Sequence, residues 1–242
     1  MKQASPWPKP IVLPLRPTSF TLIELLVVIA IISILASLLL PALARGKAQA
    51  QRIKCVSNQR QLALSFIMWS DDNNQKFPWQ VSPSQGGLRG NIQIWRYFDA
   101  IQSEANNPHI LVCPSGKKDP ALNFSTNAGV GFGALRNAAL GYFIGIEAST
   151  EKSSMHLLGD ENIFSQTNNL ACDPGGVTCA ATRLRPDDID QPSWDWNVHV
   201  RAGNMAMVDG SVQRYNQRTV LRHLASSGSP NLDNCIIKPG AT

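Results

Sequence analysis

The sequence predicts an α+β protein, one long N-terminal helix followed by a small antiparallel sheet with long loops. Three observations carry that prediction. From Leu25 to Ala44 the chain holds 20 consecutive residues without an ionisable side chain. Beyond that run, apolar residues continue at three- and four-residue steps as far as Trp69. Near the C-terminus, Asn204–Val208 and Ser211–Tyr215 flank Asp209-Gly210, the pattern of a β-hairpin.

The uncharged run has the length a helix needs to cross a hydrocarbon core of ~30 Å. Just ahead of it, Ser19-Phe20-Thr21-Leu22-Ile23-Glu24 sets one carboxylate at the edge of the apolar segment. An acidic residue at the centre of a span costs roughly 2.5–3.5 kcal/mol. At the edge the cost is smaller, yet Glu24 still calls for a partner. In the following stretch Ile53, Val56, Ala63 and Ile67 form one apolar row and Cys55, Leu62, Phe66 and Trp69 the adjacent one. Arg52, Lys54, Gln59, Arg60 and Gln61 fall largely between the rows. The spacing predicts one helix from about Phe20 to Trp69, roughly 75 Å at ~1.5 Å per residue. Pro41 removes one backbone hydrogen bond and is expected to kink it.

The segment Ser19-Phe20-Thr21-Leu22-Ile23-Glu24 resembles the processing site of type IV prepilins and type II secretion pseudopilins. The resemblance implies a pilin-like fold whose helix packs on the sheet. It also implies cleavage between Ser19 and Phe20 by a prepilin peptidase and N-methylation of Phe20. Glu24 then meets the N-terminal amine of a neighbouring subunit during assembly. Pro41 matches the family's helix proline, whereas Ser19 stands where the family usually has Gly. The implied domains are a leader over 1–19, a transmembrane half-helix over 20–44 and a globular domain over 45–242. The implied partners are the peptidase, the inner membrane and other pilin or pseudopilin subunits. Lys2, Lys9 and Arg16 precede the span, but Arg45, Lys47, Arg52 and Lys54 follow it, so charge bias does not orient it. The resemblance does, with a cytoplasmic N-terminus, a periplasmic C-terminal domain and assembly into a periplasmic or surface filament. A secretory signal ending at Ala42-Leu43-Ala44 is the competing reading, but the apolar run is too long and Glu24 stands where such a signal has an apolar residue. A plain anchor fits the length and leaves the Phe-Thr-Leu-Ile-Glu pattern without a reason.

After Trp69, Asp71-Asp72-Asn73-Asn74 ends the helix, and Pro78, Pro83, Gly86, Gly87 and Gly90 mark a long loop region. A shorter helix is expected near Trp95–Ser103, then strands at His109–Cys113, Leu140–Ile146 and Met155–Leu158. The hairpin is expected to turn through Asp209-Gly210 as a two-residue type I′ turn. His199 and Asp209-Gly210 give the pattern H-x9-D-G. It resembles the C-terminal signature of a group of prepilin-like proteins. Phe77-Pro78-Trp79, Ile110–Pro114, Gly141-Tyr142-Phe143, Gly159-Asp160-Glu161-Asn162 and Gly203-Asn204 resemble segments of the same group.

Charge and side-chain chemistry narrow the function. Removing Lys2, Lys9 and Arg16 from the net +5 leaves 19 cations against 17 acids, or +2. That is too little for a clustered basic footprint, and no nucleic-acid partner is predicted. The cysteines at 55, 113, 172, 179 and 235 all follow the apolar run, where an oxidising compartment favours pairing. Cys172 and Cys179 bracket Asp173-Pro174-Gly175-Gly176, strong turn chemistry, and are the favoured pair. Cys55 and Cys113 offer a second bridge from helix to sheet, and one cysteine is left over. No second Cys or His pair stands at ligand spacing, so no metal ligand is predicted. Asp187-Asp188-Ile189-Asp190 offers carboxylates of the kind calcium prefers, although such short clusters are usually solvated loop. Neither G-x-S-x-G nor H-E-x-x-H occurs. Asp209 is therefore expected to make the turn, and His199 to hydrogen-bond nearby backbone. Trp79, Trp95, Trp194 and Trp196 are expected in the core. The expected function is that of a filament subunit and not of an enzyme. The alternative is a membrane-anchored or surface-displayed binding protein exported by the same route.

Overall fold

The structure, a computed structural model, describes residues 20–127, 129–165, 182–187, 191–195, 198–199, 201–229 and 234–239. Helix α1 runs from Leu22 to Asp72 and contains Pro41. The chain divides into two compact units at Gly46/Lys47.

In the first unit the apolar side chains of α1 point outward, Leu38, Leu40 and Leu43 among the most exposed. Its polar groups are satisfied within the helix. Ser33 Oγ donates to Ile29 O (2.7 Å) and Ser37 Oγ to Ile34 O (2.7 Å), the local bonding a hydroxyl needs where water is absent. This helix is long and apolar enough to cross a membrane.

In the second unit α1 buries Cys55, Asn58, Gln59, Leu62, Ala63, Phe66 and Trp69. Of the two expected apolar rows, the one through Cys55 and Phe66 faces the core. Ile53 of the other row is 61% exposed. Gln59, expected between the rows, is fully buried. Helical spacing alone fits either row, and the polar side chains across the interface select the one that carries Gln59. Around Phe66 gather Trp79 (5.6 Å between ring centroids) and Phe98 (5.5 Å), both edge-on. Such pairs add about 0.5–1.5 kcal/mol each beyond their buried area. The expected short helix is present in two pieces, α2 (Ile94–Ala100) and α3 (Gln102–Ala105), and α4 follows at Phe132–Leu135.

The sheet comprises β1 (Tyr142–Gly145), β2 (His156–Asp160), β5 (Ala202–Met207), β6 (Val212–Asn216) and β7 (Ile236–Ile237). The strands β3 (Ile163–Phe164) and β4 (Ser193–Trp194) form a separate two-stranded ladder. The five-stranded order is β6-β5-β2-β1-β7, every pair antiparallel. The expected strand at His109–Cys113 is instead a 3₁₀ turn over Pro108–Leu111. Pro108 has no N–H to give a ladder, and the Asn107 side chain accepts the His109 N–H (3.0 Å), capping the turn. Helix α5 (Gln217–Ser226) and strand β7 were not expected from the sequence. The signal for α5 was present, because Asn216 and Thr219 form a reciprocal capping box at its start.

Side chains alternate across the sheet. Ala206 and Val208 join the core under α1, while Met205 and Met207 join a second core with Val220 and Leu224 of α5. The sheet is thus a layer between α1 and α5. Its α1-facing side carries Asn204 and Asp160 where apolar residues would be expected, and that exception positions the site.

Candidate functional site

At the start of α1, Thr21 and Glu24 bind each other. The Thr21 N–H and its hydroxyl both donate to Glu24 Oε2 (2.8 Å each), and the Glu24 N–H donates back to Thr21 Oγ1 (3.2 Å). This is a capping box, in which Thr at the N-cap and Glu three residues on satisfy orphan donors of the first turn. The expectation that Glu24 needs a partner is met inside the chain, a role the Thr-x-x-Glu spacing would have revealed. Phe20 is exposed beside it. Ser19 lies outside the described residues.

The second constellation lies between α1 and the sheet. Asp160, at the end of β2, is fully buried. Gln59 Nε2 of α1 donates to its Oδ1 (2.8 Å) and also reaches Asn204 O (3.3 Å). The Asn204 N–H (2.7 Å) and Nδ2 (3.0 Å), from β5, donate to Asp160 Oδ2. His199 closes the cluster with Nε2 3.3 Å from Asp160 Oδ2 and 3.4 Å from Cys113 Sγ. His199 therefore turns to a buried carboxyl, not to nearby backbone as expected. Its Nδ1 is buried without a partner. An unpaired acceptor is cheaper to bury than an unpaired N–H, which favours the proton on Nε2.

Burial pushes the Asp160 carboxyl up to about 7, against the pull of Asn204 and Gln59. Burial, and then the Arg52 and Arg214 charges, hold His199 down at about 4. Asp160, from the Gly159–Asn162 segment, meets here with Asn204, 44 positions further on, and with His199. Asp209-Gly210 does not join them. Asp209 Oδ1 accepts the Ser211 N–H (2.8 Å) at the hairpin turn. The turn differs from the expected type I′. Met207 N–H donates to Ser211 O (2.8 Å) and Gly210 N–H to Met207 O (3.0 Å). Gly210 has φ +79° while Asp209 has no positive φ, so this is a three-residue loop over 208–210.

Cys55 of α1 and Cys113 are disulfide-bonded, Cα–Cα 5.0 Å apart, which ties the helix to the loop before β1. The donor atoms of Cys55, Cys113 and His199 lie within 4.8 Å of one another. With the two sulfurs joined there is no thiolate to ligate a metal. Cys235 is disulfide-bonded as well. The expected Cys172–Cys179 pairing lies outside the described residues. So do Asp188 and Asp190 of the calcium candidate, while Asp187 pairs with Arg185 (3.0 Å). Trp79 and Trp194 are buried as expected, and Trp95 is half-buried. Trp196 lies outside the described residues.

Comparison with known proteins locates the resemblance. Residues 18–40 match the family model described as the prokaryotic N-terminal methylation motif. The chain is 43% identical over 60 residues to the type II secretion system core protein G of Pectobacterium carotovorum subsp. carotovorum. That match covers 25% of this chain and spans 38% of the relative's length. No solved structure matches. The likeness to type II secretion and N-methylated proteins thus lies in the N-terminal segment, and the chain spans little more than a third of that relative's length.

Proposed function

We propose that the chain is a pseudopilin-like structural subunit of a type II secretion or type IV pilus-like filament. A prepilin peptidase cuts between Ser19 and Phe20 and methylates the Phe20 amine. The observation that carries this reading is the methylation motif running directly into an exposed, uncharged helix. A helix apolar on all sides must be covered, first by lipid and then by neighbouring copies. The helix anchors the protein in the inner membrane, with the second unit on the periplasmic side. Glu24, held by Thr21 in the free subunit, exchanges that partner for the Phe20 amine of the adjacent subunit on assembly. Pairing offsets the cost of a carboxylate at the edge of the lipid core.

The test is N-terminal and intact-mass analysis of the protein from native membranes. An N-methylated Phe20 start is expected. A start at Arg45, or an uncut chain, overturns the reading. Glu24→Ala should retain processing and folding but lose incorporation into filaments, and normal incorporation refutes the role of Glu24.

A further inference from the structure

The cluster around Asp160 leaves a cavity on its outer side. Its volume is about 190 Å³, and its lining includes Gln49, Arg52, Ile53 and Val56 of α1, His199, and Arg214 of β6. We propose that this cavity binds a phosphate-type anion, gripped by the guanidinium groups of Arg52 and Arg214.

Four observations support the assignment. Arg214 stands directly across the ladder from Asn204, whose side chain is committed to Asp160, so the hairpin presents Arg214 beside the cluster. Neither arginine pairs with a carboxylate among the described residues, and no acid lines the cavity. The lining also includes His199, 2% exposed, whose neutral ring sets no negative charge against an anion. Asp160 lies behind His199, fully buried, with its oxygens already occupied by Gln59 and Asn204.

Physical chemistry then names the ligand class. Two unpaired guanidinium groups on one small cavity repel each other and attract an anion, and their planar forks match a phosphate bidentately. The volume equals about six water molecules at ~30 Å³ each. A phosphate group fits it, whereas drug-sized ligands want cavities of roughly 300 Å³ or more.

Two sources share this chemistry, the net-anionic headgroup of an acidic phospholipid and a soluble phosphate. The lipid source rests on the membrane anchoring proposed above. Arg52 follows the uncharged run Leu25–Ala44 by eight residues in the sequence, which makes a headgroup one of the two sources to test.

The experiment uses the full chain in micelles of an uncharged detergent, titrated calorimetrically. The probes are inorganic phosphate, short-chain phosphatidylglycerol and short-chain phosphatidylcholine. One-site binding is expected for phosphate, for phosphatidylglycerol or for both, and none for phosphatidylcholine. Binding of phosphatidylglycerol alone identifies the headgroup as the source, and binding of phosphate identifies a soluble anion. The double variant Arg52→Gln/Arg214→Gln should weaken binding by about tenfold or more, and Arg52→Lys/Arg214→Lys should restore part of it. Both arginines are at least partly exposed, so an unchanged near-UV spectrum is expected of the variants. Absence of binding for phosphate and phosphatidylglycerol alike overturns the proposal. Equal retention of phosphatidylcholine, or undiminished binding in the glutamine variant, does the same. N-terminal mass analysis of the same preparation reports the subunit reading separately, so failure of one is distinguishable from failure of the other.

Discussion

Replacing Asp160 by Asn should make the protein more stable at alkaline pH. Burial raises the Asp160 carboxyl from 3.8 to about 7. An acid with a raised folded-state pKa contributes stability that is fully present below its unfolded value and lost as pH rises through the folded one. From pH 5 to pH 9 the wild type should therefore lose about 3 kcal/mol through this one group, at about 1.4 kcal/mol per pH unit over the two units below pH 7. Asn at 160 has no such titration. Nor should it disturb the cluster much. The two Asn204 donors keep an oxygen to bind, and an amide nitrogen in place of Oδ1 meets Gln59, whose Oε1 has no partner. A swing of the Gln59 amide turns donor into acceptor. His199 is common to both proteins and largely cancels in the difference. The assay is denaturant unfolding of full-length wild type and variant in micelles at pH 5, 7 and 9. Near-UV dichroism of the buried Trp79 and Trp194 reports the fold. The stability difference should shift in favour of the variant by about 3 kcal/mol between pH 5 and pH 9. A difference independent of pH would refute the reasoning, because Asp160 would then keep one charge state throughout.

Other outcomes follow from the same geometry. Reducing the Cys55–Cys113 bridge, which spans 58 residues, should cost about 4 kcal/mol by the chain-entropy relation. A lower Tm of Cys55→Ser without reductant checks it, because a dithiol would also open the bridge of Cys235, and an unchanged Tm counts against it. Gln59→Leu removes the donor to Asp160 Oδ1 and should destabilise by about 1–3 kcal/mol, more at pH 9 than at pH 5. A Cβ on Gly203 would overlap the buried Trp194 ring. Gly203→Ala should therefore cost about 1–3 kcal/mol and alter the near-UV signal, and an unchanged spectrum with unchanged Tm counts against that packing.

Local chemistry made several elements legible in the chain. An uncharged run of 20 residues reads as a helix, because a single helix satisfies its own backbone within one segment. Gly210 marked the hairpin, although it supports a three-residue loop where two residues were expected. Short segments were harder. Ile110–Val112 has strand composition, but Pro108 and the Asn107 cap made a 3₁₀ turn of its start. Strand β7 has two residues, too few for any period to show.

The N-terminal site was written in consecutive residues, since Thr21, Glu24 and the apolar run act through one helix. Residue type and spacing were enough to name it. The junction could not be found that way. Gln59, Asp160, His199 and Asn204 are separated by up to 145 positions and belong to different elements. Gln59 was expected between the apolar rows, His199 on nearby backbone and Asn204 in a hairpin strand. Their pairing depends on which row of α1 faces the sheet, and on the alternation that turns Asn204 and Asp160 toward it. Sequence by itself determined that the N-terminal helix is long and apolar enough to cross a membrane, because hydrophobic length is a local property. Only the tertiary structure decided which polar groups meet in the core, because burial and a partner both come from distant parts of the chain.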